Sequence, residues 1–208
     1  MNRSGPRRQE YERRPGRIMN MKLISGILGS LDPTVWILSS SHGDAAGALV
    51  ATFVSNASIV PDLPRVLVGL ARQHATHDLV VGSSVFCLHL IEEPQIEWVW
   101  RFGLASGRDE DQLAGVDWRR GATGAPLLEA APAALECRVE TTLNSGDRTI
   151  FLAEVVEAHG RSDVTGLRLD DVLARADDEI LGRLRASMAR DRDIDAAAIR
   201  AFRAAMGR

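Results

Sequence analysis

Four small hydrogen-bonding side chains lie within seven residues of one another, among small apolar neighbours: Thr52, Ser55, Asn56 and Ser58. Small side chains allow a flat ligand to approach the backbone, whose N–H and C=O groups can then contact its edge. Hydroxyl and amide groups can also hold phosphate oxygens. The same groups are common where a strand bends into a loop and bonds its own backbone. The segment alone therefore leaves a ligand site and a structural bend both open.

A second group of polar residues, at 72–77, follows the apolar run at 65–71. Arg72 offers a guanidinium, which binds phosphate through two parallel hydrogen bonds. Thr76 is expected near the start of a short helix, where backbone N–H groups and the helix dipole favour an anion. These residue types fit a phosphate, but by themselves they do not exclude the structural interpretation.

The segments that must position these groups have the pattern of short strands. Apolar and β-branched runs bounded by turn residues occur at 34–38, 47–54, 65–71, 84–90, 134–143 and 149–158. We expect a turn at 39–44 and a hairpin turn at 144–147. Short helices are expected at 76–81 and from 93–94 to about 102. The pattern predicts a mainly β fold with peripheral helices, either a small barrel or a sandwich.

The two ends of the chain differ from this middle zone. Residues 1–20 are polar and rich in arginine, and we expect them to be disordered. Residues 168–208 are charged and helical in period, with one apolar face expected on a first helix (Leu173, Ile180, Leu181, Leu184, Met188). Asp193 is expected to cap a second helix. Such faces usually pack onto the parent domain or a second subunit, and a surface for another partner is the alternative.

The composition excludes several classes of protein. Lys and Arg number 25 against 28 acidic residues, a net charge of -3, so no general affinity for nucleic acid is expected. No run approaches the roughly 20 apolar residues of a membrane span. No apolar segment of a secretory signal follows the N-terminal arginines. We therefore expect a cytoplasmic protein that binds neither nucleic acid nor membrane.

The cysteines and histidines suggest no metal site. Cys87 and Cys137 lie in apolar runs without a Cys-x-x-Cys spacing and are expected to be buried, reduced thiols. His74 and His77 have a spacing that suits a metal, but no third ligand accompanies them. His42 and His159 are expected in solvated turns.

The order of motifs from about residue 30 to 158 resembles that of the flavin reductase-like family, whose fold is the FMN-binding split barrel. The matching segments are GALVATFVSNAS (47–58), a bend marked by proline, the strand at 65–71, the loop and helix at 72–77, GSSVFCLHL (82–90), Phe102, LAGVDW (113–118), GAPLL (124–128), ALECRV (134–139) and Gly146-Asp147. The resemblance is greatest to the flavin-reductase modules fused to flavodiiron proteins.

The resemblance implies a split-barrel domain at 21–165 and a helical extension at 166–208. It implies a homodimer that binds FMN, or FAD, and passes hydride to it from NADH or NADPH. One role is the reductase component of a two-component flavin monooxygenase, with the oxygenase as partner. The alternative is an FMN-bound electron-transfer module that a protein donor reduces.

The resemblance also implies which residues hold the cofactor. The flavin ring lies in the family against the segment that matches Val50, Ala51, Thr52 and Phe53. The polar groups that match Ser55, Asn56, Ser58, Arg72 and Thr76 hold the phosphate, and His74 lies beside them. No catalytic side chain is implied, because nicotinamide and flavin supply the chemistry.

Three positions depart from the family's pattern. Its common Gly-Asp-His turn, with the His near the nicotinamide, is Gly146-Asp147-Arg148 here. A strand Asn is His89, and an Asp-Lys-Phe segment is replaced at 111–113. Arg148 either favours an anionic partner such as a 2′-phosphate or is a solvated turn residue. These changes bear on reductase activity and nicotinamide choice more than on flavin binding.

Overall fold

The computed structural model describes residues 20–104 and 111–207. The expected disordered tail, apart from Asn20, lies outside the described residues. The chain divides into two units, Met1–Asp32 and Pro33–Arg208. The described part of the first unit contains helix α1, Met21–Gly29, which Asn20 caps by accepting a hydrogen bond from Leu23 N at 3.0 Å.

The second unit is built on an antiparallel sheet of seven strands. The strands of this unit are β1 (Trp36–His42), β2 (Ala45–Ala51), β3 (Val54–Asn56), β4 (Arg65–Ala71), β5 (Val85–Leu90), β6 (Trp118–Arg120), β7 (Pro126–Leu128), β8 (Ala133–Asn144) and β9 (Arg148–Gly160). Seven of them pair in the order β2-β1-β5-β8-β9-β4-β3, and β6 pairs with β7 in a small second sheet.

The connection between β2 and β3 closes the large sheet into a barrel. These strands form its opposite edges, yet only Thr52 and Phe53 separate them in the chain. Two residues span less than about 10 Å, so the sheet must curl until its edges approach each other. The predicted mainly β split barrel with peripheral helices is confirmed, and we call residues 52–53 the seam.

Two apolar cores lie on the two faces of the sheet. The first contains Leu38, Val68, Phe86 and Phe151. The second lies under the helices and contains, among others, Ile37, Ile91, Val99, Phe102, Leu167 and Val172. Both faces of β1 are thus buried, because consecutive residues of a strand point to opposite sides. Cys87 and Cys137 are buried and free, as predicted.

The peripheral helices partly match the prediction. They are α2 (Ala75–Ser83), α3 (Ile96–Leu104, after a 3-10 turn at Glu93–Gln95), α4 (Leu169–Arg175) and α5 (Asp178–Ala205). The expected cap at Asp193 is wrong, because α5 runs through that position without a break. Asp177 caps α5 instead, accepting from Ile180 N at 2.7 Å. The boundary of the extension at 165–166 stays a prediction.

Two strand boundaries also differ from the prediction. Residues 39–42 continue β1 rather than forming a turn. Buried Ser39, Ser40 and Ser41 donate to backbone carbonyl groups, which satisfies their hydroxyls inside the protein. The single strand predicted at 47–54 is divided, because the chain crosses from one sheet edge to the other at the seam. None of the helices within residues 20–104 and 111–207 has both the length and the apolar character that a membrane span requires.

Candidate functional site

The seam brings the first four candidate residues to one end of the barrel. Val50 and Ala51 finish β2, where they pair with Ile37 and Trp36 of β1. Phe53 O accepts a hydrogen bond from Gly69 N at 2.9 Å, which ties the seam to β4. The Phe53 side chain is 59% exposed. A Cβ added at Gly69 would lie 3.2 Å from Phe53 Cβ, so the glycine allows this close packing.

Ser55, Asn56 and Ser58 bond to the backbone of their own loop. Ser58 N donates to Asn56 Oδ1 at 3.0 Å, and Val60 N donates to Ser58 Oγ at 3.1 Å. Ser55 Oγ donates to the carbonyl of Asn56 at 3.2 Å. These are the bonds that the structural interpretation of the segment predicts.

The register of β3 and β4 divides the expected phosphate-binding residues into two groups. Asn56 is paired with Val66 and Ser55 with Leu67, whereas Arg72 follows the far end of β4. Six residues from Val66 to Arg72 correspond to about 20 Å along an extended chain. The two groups therefore lie near opposite ends of β4.

The second group lies at the start of α2. Arg72 is exposed, and no described residue forms a hydrogen bond or ion pair with its guanidinium. His74 is the N-cap residue of α2, and its side chain makes no capping bond. Thr76 is buried and lines a cavity of about 370 Å³ whose other walls are Ala45, Ala46, Gly47, Ala75, Asp78, Leu79 and Gln112. The guanidinium, the helix start and the hydroxyl are each groups that bind phosphate, but Arg72 and His74 are not among the residues that line the cavity at Thr76.

The turn between β8 and β9 contacts the loop that carries Arg72. Arg72 N donates to Asp147 O at 3.1 Å. The Arg148 guanidinium lies over the Phe53 ring, 4.6 Å from its centre. It also forms ion pairs with Asp147 at 3.3 Å and with Asp195 of α5 at 3.1 Å. Arg148 is thus a paired and partly buried residue rather than a solvated turn residue, and its preference for an anionic partner such as a 2′-phosphate stays a prediction.

Sequence reasoning missed Asp195 and Gln73. Asp195 Oδ1 accepts from Gln73 Nε2 at 3.2 Å, so α5 contacts the residue next to Arg72. The signal in the sequence was the helical spacing of the tail, which indicates an inward face but not the surface that it covers.

The other histidines have structural roles. His77 is buried and lies 2.9 Å from Thr149 Oγ1. His89 Nε2 accepts from Leu128 N at 3.0 Å, which leaves Nδ1 to donate to Ile37 O at 3.1 Å. Burial lowers the pKa of His89 to about 4. Desolvation also lowers the pKa of His74, although the Asp191 and Asp195 carboxylates oppose it.

A cluster of hydrogen bonds around Glu136, which we call the Glu136 clamp, lies at the end of the β8–β9 hairpin away from the turn. The prediction of a solvated turn at His159 is wrong, because His159 belongs to β9 and its Nε2 donates to Glu136 Oε1 at 2.7 Å. The buried carboxylate also accepts from Ala122 N and from both the N–H and the hydroxyl of Thr123. Burial alone would raise the pKa of Glu136, but these hydrogen bonds lower it to about 2.

Glu157 lies beside this clamp, and ligand atoms of Glu136, Glu157 and His159 fall within 4.8 Å of one another. Hydrogen bonds already engage both oxygens of Glu136. We therefore assign the group the role of anchoring the loop at residues 122–123.

The chain is similar to known proteins in sequence and in structure. FMN reductase (NADH) RutF of Pseudomonas syringae is 30% identical over 131 residues, which cover 63% of this chain and 71% of that protein. Diflavin flavoprotein A 1 of Synechocystis is 29% identical over 129 residues, but the match spans only 22% of that longer protein.

A solved structure is similar over most of the chain. It is the NADH:FAD oxidoreductase SgcE6 of Streptomyces globisporus in complex with NAD and FAD fragments. It has a TM-score of 0.62 and 27% identity, over 72% of this chain and 87% of that one. The sequence model of the family described as "Flavin reductase like domain" matches residues 28–172. With most of the chain inside this match and the sheet closed as a split barrel, the protein belongs to the flavin reductase-like family.

Proposed function

We propose that the protein is an NAD(P)H:flavin oxidoreductase that binds FMN. The observation that carries this proposal is the meeting of the seam, the start of α2 and the β8–β9 turn at one end of β4, within a member of the flavin reductase-like family. The names of the relatives, an FMN reductase that uses NADH and an NADH:FAD oxidoreductase, support the same activity. FMN is proposed over FAD because the donor set at Arg72 suits a terminal phosphate.

The separation within the candidate set supports a different task for each part. Arg72, Thr76 and the start of α2 bind the phosphate. The backbone of residues 50–53 contacts the ring, beside the half-buried Thr52 and the exposed Phe53. Ser55, Asn56 and Ser58 stabilise, through hydrogen bonds to their own backbone, the loop that follows residues 50–53. His74 borders the phosphate without contacting a reacting atom.

The protein's contribution to the reaction is orientation. When bound, the flavin accepts a hydride from the reduced nicotinamide and passes electrons onward. Hydride transfer requires the two rings to be held in contact, and the seam provides a wall for one of them. No side chain of the described site has to donate or remove a proton.

A second copy of the chain is proposed to complete the assembly. The loop after β3 exposes Ile59, which is 99% accessible, and Leu63, which is 64% accessible. Leu67 of β4 is also exposed. An apolar surface of this kind is unfavourable in water, and a homodimer would cover it. Light scattering should give twice the chain mass for the wild type and the chain mass for Leu63→Asp.

A specific observation favours a second candidate, an FMN-bound electron-transfer module. Arg148 stands where the family commonly has a histidine, and two carboxylates engage it. If this change has abolished nicotinamide binding, the purified protein would be yellow and would be reduced by a ferredoxin-type donor but not by NADH or NADPH.

The reductase proposal is tested by mixing the purified protein with NADH or NADPH and with FMN or FAD. We expect loss of the reduced nicotinamide absorbance with at least one pair. Oxidation with none of the four pairs would refute it. An oxygenase is proposed as the acceptor of reduced flavin, and in the cell both proteins would share the cytoplasm.

A further inference from the structure

Helix α5 lies beyond the family match at 28–172, yet it contacts two loops of the candidate site. Asp195 accepts from Gln73 Nε2 with one oxygen at 3.2 Å and from Arg148 Nη2 with the other at 3.1 Å. Gln73 lies in the loop that carries Arg72 and His74. Arg148 lies in the β8–β9 turn. One carboxylate of the extension therefore connects the two loops.

The packing of α5 against Gly146 supports this contact. Gly146 has a φ of +102°, and a Cβ added there would lie 2.7 Å from Phe202 Cβ and 3.1 Å from Ala198 O. Ala198 and Phe202 follow Asp195 by three and seven residues and so lie on the same face of the helix. The helix is in direct contact with the turn, and only a glycine permits that approach.

Arg148 is held in a partly buried position as a result. The side chains of Arg148, Asp147 and Asp195 are only 24%, 14% and 16% exposed. Solvent screens such a group less than an exposed ion pair. The guanidinium also lies on the Phe53 ring of the seam. Without Asp195, Arg148 would keep only its ion pair with Asp147. Gln73 would lose the only side-chain hydrogen bond that it makes within the described residues.

We propose that Asp195 is a positioning residue of the flavin site, supplied by the C-terminal helix. It holds the loop of residues 72–74 and the turn of residues 146–148 in the arrangement that binds the phosphate and covers the seam. This inference rests on the proposed function for the flavin, but the geometry of the two loops can be tested without it.

The test compares Asp195→Ala with Asp193→Ala. Asp193 is exposed and lies two residues away on the same helix, so its replacement removes the same charge without the two contacts. Amide hydrogen exchange is measured on the flavin-free proteins, and the FMN dissociation constant is measured by titration. Asp195→Glu is included as the conservative variant.

For Asp195→Ala we expect exchange about fivefold faster at residues 72–76 and 145–149, with β5 unchanged, and an FMN dissociation constant about fivefold higher. Asp193→Ala should match the wild type in both. Asp195→Glu should restore part of the affinity, which a purely structural loss of helix packing would not predict.

Equal amide exchange rates in Asp195→Ala and Asp193→Ala would overturn the inference. Faster exchange of the two loops in Asp195→Ala with an unchanged FMN dissociation constant would also overturn it. A wild-type protein that binds no FMN would instead refute the proposed function. In that case the exchange rates would still decide whether Asp195 holds the loops.

Discussion

Replacing Arg72 by alanine tests the assignment of the phosphate site. Its guanidinium is exposed and makes no hydrogen bond or ion pair within the described residues, so the fold should lose almost nothing. A charge-assisted hydrogen bond to phosphate contributes about 1.5–3 kcal/mol, which corresponds to a loss of roughly 10–150-fold in FMN affinity. Arg72→Lys should recover only part of this, because a lysine lacks the two-pronged geometry.

The assay is a titration with FMN and, in parallel, with riboflavin, which has the same ring and no phosphate. Arg72→Ala should weaken FMN binding and leave riboflavin binding unchanged. Arg183→Ala, on the exposed surface of α5, is the matched control and should match the wild type with both ligands. Equal losses for FMN and riboflavin, or no loss for either, would show that the phosphate lies elsewhere.

The remaining predictions concern stability. Gly146→Ala should lower the free energy of unfolding, measured in urea, by about 1–3 kcal/mol, because Gly146 has a positive φ and contacts α5. Gly182→Ala is the control: no atom lies within 4 Å of the added Cβ, so this change should raise the free energy of unfolding by up to about 1 kcal/mol. Equal effects of the two substitutions would contradict the packing of α5 against Gly146. The pKa of Glu136 is lowered from 4.5 to about 2, so its stabilisation is complete above pH 4.5 and is lost as the pH falls towards 2. Glu136→Gln should be less stable at pH 7 and lack this acid transition in a pH series of urea unfolding; an unchanged transition would argue against the clamp. The pKa of His89 is lowered from 6.5 to about 4, so protonation of the unfolded state should reduce stability between pH 6.5 and 4. His89→Asn should remove that component, and its persistence would assign it to another group.

The sequence predicts the barrel well because its strands are local patterns. The runs at 65–71 and 84–90 and the last hairpin are β-branched or apolar and end at turn residues, so β4, β5, β8 and β9 form where expected. The turn predicted at Ser39, Ser40 and Ser41 is wrong, because these residues belong to β1. Their partners are carbonyl groups of residues 85, 124 and 126, which are distant in sequence and cannot be found from local pattern.

The candidate site could be predicted only in part for the same reason. The segments at 50–58 and 72–76 were recognisable, but their separation along β4 follows from the strand register. The contact of Asp195 with Arg148 joins residues 47 positions apart, and helical spacing gives no indication of it. Helix α5 begins after the cap at Asp177 and continues through Asp193, where the sequence pattern predicts the start of a second helix.

Flavin reduction is measured most directly as the oxidation of NADH and of NADPH by the purified protein with FMN present. We expect the reduced nicotinamide absorbance to fall at a rate proportional to protein concentration, and heat-denatured protein to leave it unchanged. A protein that binds FMN but oxidises neither nicotinamide would contradict the claim and favour the electron-transfer module.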